Sequence, residues 1–267
     1  MTVWLAAYWG LGEAALAVAG VLLVGYMLQG WRAWARSGQL LVIVGEVFLG
    51  AALILRGVRG HGWPITFWPD MAAGIGVVML LVYLVWSSAT RNPSTGAVTV
   101  PVALGLSLLG AAQQVTAPVT TPMSNLNLVL SSGATLLGGA FWGLSASIGL
   151  SGLIRLALKT RFIRGCWLPA RVGSRWSEIW VRGGLIFLAI GLAIDVWWVK
   201  PLDLVATDNV RQGGIAIAWM IYFIALRLKN HPRWQGWAWD AIQVIGFACT
   251  LPILLDVPWL NQPLIFW

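Results

Sequence analysis

Apolar residues in this chain come in long unbroken runs, and short clusters of arginine, glycine, proline and tryptophan separate one run from the next. Eight runs stand out, over residues 5–28, 39–55, 71–86, 98–112, 126–150, 179–198, 213–226 and 237–255. In lipid, such a stretch must satisfy its backbone within itself, so each run predicts a helix. No segment carries the period-two alternation of a barrel strand. The expected fold is all-α, a single domain over residues 1–267 forming a polytopic transmembrane helix bundle of about eight spans. The third, fourth and seventh runs fall short of the roughly 20 residues that cross a bilayer, which leaves open whether they cross fully.

The fifth run differs from the others because small and apolar residues continue past it to Leu158. A helix of that length would reach roughly 50 Å, so it is expected to project from the membrane on its basic side. It is rich in glycine, and Gly139 and Gly143 form a GxxxG pair. Small residues let helix backbones approach closely in lipid. The pair therefore marks helix packing, either inside this chain's own bundle or against a partner subunit.

Composition strengthens the membrane reading. Apolar residues make up 59% of the chain and charged residues 10%, and the mean hydropathy is +0.80. A soluble domain would be about a quarter charged. The expected surroundings are therefore the lipid bilayer, and the expected setting is the bacterial inner (cytoplasmic) membrane. A net charge of +8 would suggest nucleic acid in a soluble protein. Here the basic residues lie between the apolar runs, so they read as topology signals and no nucleic-acid partner is expected. Of the 17 basic residues, all but Arg56, Arg59, Lys200 and Arg211 fall in the loops after the first, third, fifth and seventh runs or, for Arg182, in the first turn of the sixth run. Cytoplasmic loops collect arginine and lysine. That places the basic segment 155–178 in the cytoplasm and both termini outside. The first run has no basic residue ahead of it, so it reads as a retained span and not a cleaved signal.

Two further residue types narrow the chemistry. Cys166 and Cys249 sit in no CxxC or CxxCH pattern, which argues against a dithiol redox site and covalent haem attachment. Nineteen tryptophans, many at the predicted helix ends, read as an interfacial belt with the indoles at headgroup depth.

Glu46 lies near the middle of the second run and Glu13 about a third of the way into the first, where a carboxylate is costly and marks either a paired structural group or a functional site. Counted from the inner ends of their runs, Glu46 lies about 11 Å deep and Glu13 about 22 Å, too far apart to share a proton. Each is either a carboxyl bonded to a neighbouring helix or part of a proton path. His61, in the external RGHGWP turn, and His231, in KNHPRW, fall on opposite sides of the membrane and cannot share a metal. Asp195, Asp203 and Asp208 gather around the external loop between the sixth and seventh runs and read as solvated. No HExxH, GxxxxGK[ST] or Ser/His/Asp arrangement is present. The expectation is no enzyme, no catalytic residues and no metal site.

The C-terminal half resembles the cytochrome c assembly protein family, polytopic proteins that present haem on an external tryptophan-rich loop. The segments GGLIFLAIGLAIDVWW and GGIAIAWMIYFIALRL are similar to the helices that flank that loop. Trp197 matches the tryptophan ending the first of these helices. Trp219, Ile221 and Tyr222 match the W-x-IY of the second, and Gly246 and Phe247 match the GF of the last helix. The GHGWPITFW stretch is similar to an external turn in longer members. The resemblance implies a haem-handling scaffold, with His61, Trp197 and Trp198 as the residues left to hold haem. Where the family has WGxxWxWDPKExW, this chain reads LDLVATDNVRQGG from Leu202 to Gly214. Ser131 or Ser132 and Arg227 stand where the family has ligand histidines. The expected function is therefore a non-catalytic structural or assembly subunit of a larger membrane electron-transfer complex, without a cofactor. Haem or tetrapyrrole handling in cytochrome c biogenesis is the first alternative, and a small transporter or proton path through Glu13 and Glu46 is the second.

Overall fold

The structure, a computed structural model, describes residues 2–59, 68–111, 126–158, 167–194, 207–229, 231, 234 and 236–254. Among these residues there are eight helices and no strand: α1 (Thr2–Gln29), α2 (Arg32–Arg59), α3 (Trp68–Thr90), α4 (Gly96–Ala111), α5 (Leu126–Ala157), α6 (Ala170–Ile194), α7 (Thr207–Lys229) and α8 (Trp237–Leu254). Five of them, α1, α2, α3, α5 and α6, are long and apolar enough to cross a membrane. The apolar α4 has 16 residues.

Helix ends follow backbone chemistry and not hydropathy. Helix α1 stops at Gly30, whose left-handed φ of 76° lets its N–H donate to the Tyr26 carbonyl at 2.7 Å. Helix α2 begins directly afterwards at Arg32, although its apolar run starts only at residue 39, because arginine, alanine and glutamine are good helix formers. Helix α6 begins at Ala170 behind Pro169, and the Gly173 N–H donates to the Pro169 carbonyl at 2.9 Å. About half of the basic segment 155–178 is consequently helical. Arg155 closes α5, and Arg171 and Arg175 belong to α6. The 32 residues of α5 reach about 48 Å, longer than the hydrocarbon core is thick.

The helices close into two rings of four. In the first, α1 packs on α2, α2 on α3, α3 on α4, and α4 back on α1. In the second, α5 packs on α6, α6 on α7, α7 on α8, and α8 back on α5. Helix α5 also packs on α3 and α4 and so joins the rings.

The same glycine contact builds the first helix pair of each ring. A Cβ on Gly12 would lie 2.8 Å from Leu49 Cγ and 3.2 Å from the Gly45 carbonyl oxygen, and one on Gly45 would lie 2.8 Å from Leu16 Cγ and 3.1 Å from the Gly12 oxygen. In the second ring, a Cβ on Gly138 would lie 2.5 Å from Leu188 Cγ and 3.2 Å from the Gly184 oxygen, and one on Gly184 would lie 3.1 Å from the Gly138 oxygen. Each glycine faces the residue four positions beyond its counterpart: Leu16, Leu49, Trp142 and Leu188. Backbones thus meet where neither helix has a side chain.

Gly139 and Gly143 face this chain's own helices. A Cβ on Gly139 would meet Ile75 of α3 at 2.9 Å, and one on Gly143 would meet Met79 of α3 at 2.7 Å and Phe247 of α8 at 3.2 Å. The glycine face of α5 is where the two rings lock together. Trp31, Trp234 and Trp237 near helix ends are exposed, as a belt requires, while other tryptophans pack inside the bundle. Trp9, Trp142 and Trp239 are core residues with at most 1% exposure. Trp86, Trp176 and Trp180 form an aromatic ladder between α3 and α6, with ring centroids 5.8 Å and 5.9 Å apart.

Candidate functional site

In the first ring, two polar contacts join α2 to α3. Gln39 Nε2 donates to Ser87 Oγ at 3.2 Å near one end. At the other end, Arg56 Nε lies 3.1 Å from Asp70 Oδ1, and both side chains are nearly inaccessible. That contact is at ion-pair distance without the alignment of a hydrogen bond. Glu46 lies between, buried, and its Oε2 has no hydrogen-bond partner among the described residues. On α1, Glu13 Oε1 accepts from Trp9 Nε1 at 3.0 Å and from Ser107 Oγ of α4 at 3.4 Å.

The expected depth difference between the two carboxyls is corrected here. Gly12 and Gly45, the residues just before them, touch across the α1–α2 seam, so Glu13 and Glu46 stand at the same height. Measured from the true helix ends at Gln29 and Arg32, they lie about 24 Å and about 21 Å along their helices. The earlier figures used the ends of the apolar runs, and α2 extends well beyond its run. No hydrogen bond joins the two carboxyls among the described residues; Glu13 is bonded toward α4 and Glu46 lies on the buried face of α2 with Val42 and Leu49.

The second ring is organised around neutral groups. Ser145 of α5, Ser177 of α6, and Trp239 and Gln243 of α8 form one buried cluster. With its amide nitrogen toward Ser145, Gln243 donates to Ser145 Oγ at 2.6 Å and to the Ser145 carbonyl at 2.7 Å, while its oxygen accepts from Trp239 Nε1. Trp239 Nε1 is also 3.0 Å from Ser177 Oγ.

The residues that carry the family resemblance are packing residues. Trp219 Nε1 donates to the Leu185 carbonyl of α6 at 3.0 Å. Tyr222 stacks on Trp142 with ring centroids 3.9 Å apart, and its hydroxyl donates to the Gln243 carbonyl at 3.4 Å. A Cβ on Gly246 would lie 3.1 Å from the Tyr222 ring, a tighter contact than most side chains make. Where the resemblance would put ligand histidines, Ser131 Oγ donates to the Gly191 carbonyl at 3.4 Å and Ser132 Oγ to the Val129 carbonyl at 3.1 Å. Arg227 lies over the Phe223 ring at 5.3 Å. His61, Trp197 and Trp198 lie outside the described residues, as do Cys166, Asp195 and Asp203. His231 is exposed. Among the described residues no group of three His, Cys, Asp or Glu side chains could hold a metal ion.

At the basic end of the second ring, α5 and the first turns of α6 and α8 border a cavity of about 780 Å³. Arg155 of α5 and Asp240 of α8 both line it, together with Ser151, Ile148, Leu156, Trp237 and Trp239. Beside it, Lys229 Nζ is held by Glu178 Oε2 at 2.7 Å and the Ser174 carbonyl at 2.9 Å, over the Trp239 ring, and Arg182 also pairs with Glu178. The sequence reading passed over Asp240 and Arg155, which are 85 positions apart and separately look like solvated charges at helix ends. A smaller space of about 240 Å³ lies between Trp4, Tyr8 and Arg59. Compared with protein-family models, with curated proteins and with solved structures, the chain has no match in any of the three.

Proposed function

We propose that this chain is a non-catalytic subunit of a larger membrane electron-transfer complex, built on a scaffold resembling that of the cytochrome c assembly proteins. In this reading all eight helices cross the bacterial inner membrane, with both termini outside. One observation carries it: the residues of the resemblance that pack are kept in packing roles, and those that would grip iron are replaced. Trp219, Tyr222, Gly246 and Phe247 tie α5, α6, α7 and α8 together. Haem iron needs an imidazole, thiolate, thioether or phenolate, and the Arg227 guanidinium offers only donors. A bundle of this kind contributes its shape. Isolating the tagged chain from its native membranes in mild detergent tests the proposal. A stoichiometric second membrane subunit is expected, and a lone chain contradicts it. A Soret band travelling with the chain after partners are stripped away would instead favour haem handling through His61, Trp197 and Trp198.

A second reading, a proton path, is favoured by the equal height of Glu13 and Glu46 and by the unmatched Oε2 of Glu46. Proton flux into proteoliposomes that depends on Glu46, and is abolished in Glu46→Gln, would support it. Equal flux in the two proteins would remove it.

A further inference from the structure

We propose that the cavity between α5, α6 and α8 binds one phospholipid of the phosphoethanolamine class by its zwitterionic headgroup. The volume, about 780 Å³, suits a headgroup with the first part of its acyl chains. The decisive feature is a cation and an anion, Arg155 of α5 and Asp240 of α8, that line the same cavity without forming an ion pair. Arg155 of α5 makes one long contact, 3.5 Å, to the Leu168 carbonyl, and the Asp240 carboxylate of α8 has no hydrogen bond or ion pair among the described residues. Lys229, the other cation nearby, also acts on the Asp240 charge, but its ammonium is hydrogen-bonded by Glu178 and the Ser174 carbonyl and not by Asp240.

The carboxylate is given its space by a missing side chain. A Cβ on Gly152 would run into the Asp240 carboxylate, with Cγ at 2.9 Å, and one on Gly149 would lie 2.7 Å from the Asp240 carbonyl oxygen. Any larger residue at either position would displace Asp240 from the wall. Asp240 then takes the ammonium, whose N–H groups it can accept, and Arg155 takes the phosphate as a two-pronged donor. Trp237, exposed beside them, presents an indole of the kind that sits at headgroup depth. Ile148 and Leu156 supply apolar wall for the acyl chains. A lipid with a bare anionic headgroup would leave Asp240 facing negative charge, and a quaternary ammonium has no N–H to give it. The inference stands apart from the subunit proposal and requires only that this end of the bundle meet lipid.

Native mass spectrometry of the purified full-length protein, titrated with dioleoyl phosphatidylethanolamine, phosphatidylglycerol and phosphatidylcholine, tests it. One phosphatidylethanolamine is expected to bind about tenfold more tightly than either competitor, the size of one lost charge-assisted hydrogen bond. Asp240→Asn should bring phosphatidylethanolamine and phosphatidylglycerol to parity, and Arg155→Gln should weaken both about tenfold, with monodisperse elution as the folding control. Quenching of wild-type tryptophan fluorescence by brominated versions of the lipids gives the same preference without any substitution. Equal affinity of the wild type for the three lipids would overturn the proposal, as would unchanged selectivity in both folded variants. Soluble glycerophosphoethanolamine binding as tightly as the lipid would overturn the lipid assignment.

Discussion

Replacing Gly12 with alanine should destabilise the first ring by about 1–3 kcal/mol, the usual cost of adding a methyl group to a well-packed contact. The new Cβ would sit 2.8 Å from Leu49 Cγ and 3.2 Å from the Gly45 carbonyl oxygen. Leu49 is itself buried at 2% exposure, and the carbonyl is fixed in the α2 backbone, so neither can retreat without parting the helices. Gly45→Ala should behave alike, because its Cβ would meet Leu16 at 2.8 Å and the Gly12 oxygen at 3.1 Å. The same two helices contain their own controls. Gly10 and Gly50 have nothing within 4 Å of an added Cβ. Alanine there should leave stability unchanged or raise it by up to about 1 kcal/mol through better helix propensity. Unfolding by sodium dodecyl sulfate titration in mixed micelles, followed by tryptophan fluorescence, measures all four variants under one set of conditions. If Gly12→Ala and Gly45→Ala were as stable as Gly10→Ala and Gly50→Ala, the close backbone seam would be wrong, and with it the equal height of Glu13 and Glu46.

Other outcomes follow from the polar interior. Arg56→Met alone should cost about 3–5 kcal/mol by stranding a buried Asp70, while Arg56→Met combined with Asp70→Leu should recover most of that loss in the same titration. Ser177→Ala takes an acceptor from Trp239 and should cost about 1–3 kcal/mol, with the tryptophan emission spectrum reporting the change around Trp239. Tyr222→Phe keeps the stacking on Trp142 and loses the hydroxyl's bond to the Gln243 carbonyl and its contact with Thr250, so a loss of about 1–2 kcal/mol is expected. Glu46→Gln should leave stability unchanged or raised, since Glu46 Oε2 has no partner to lose; a loss beyond about 1 kcal/mol would reveal an ionic partner.

Run length and the absence of alternation were enough to read eight helices from the chain, because lipid leaves few backbone solutions. The same hydropathy misplaced their ends. Arg32, Arg36, Arg171 and Arg175 are polar yet continue a helix as well as leucine does, and only Gly30 and Pro169 mark where the backbone changes course. That error in the start of α2 set Glu46 and Glu13 at different depths. The Arg56–Asp70 pair was hidden for a similar reason: each charge ends a run, where a solvated residue is the ordinary expectation. Tyr222 and Trp219 were legible as a motif, whereas their partners, the Leu185 and Gln243 carbonyls, are backbone atoms that no residue pattern announces. The cavity bordered by Arg155 and Asp240 depends on α5 and α8 meeting, a long-range fact without a local signature.

As proposed above, this bundle serves another protein through its shape. The most direct measurement is the intact mass of the particle released from native membranes in mild detergent. The claim predicts a mass well above the 28.9 kDa of this chain, with at least one further membrane subunit at fixed stoichiometry. A particle of 28.9 kDa alone, or one increased only by a haem, would contradict it.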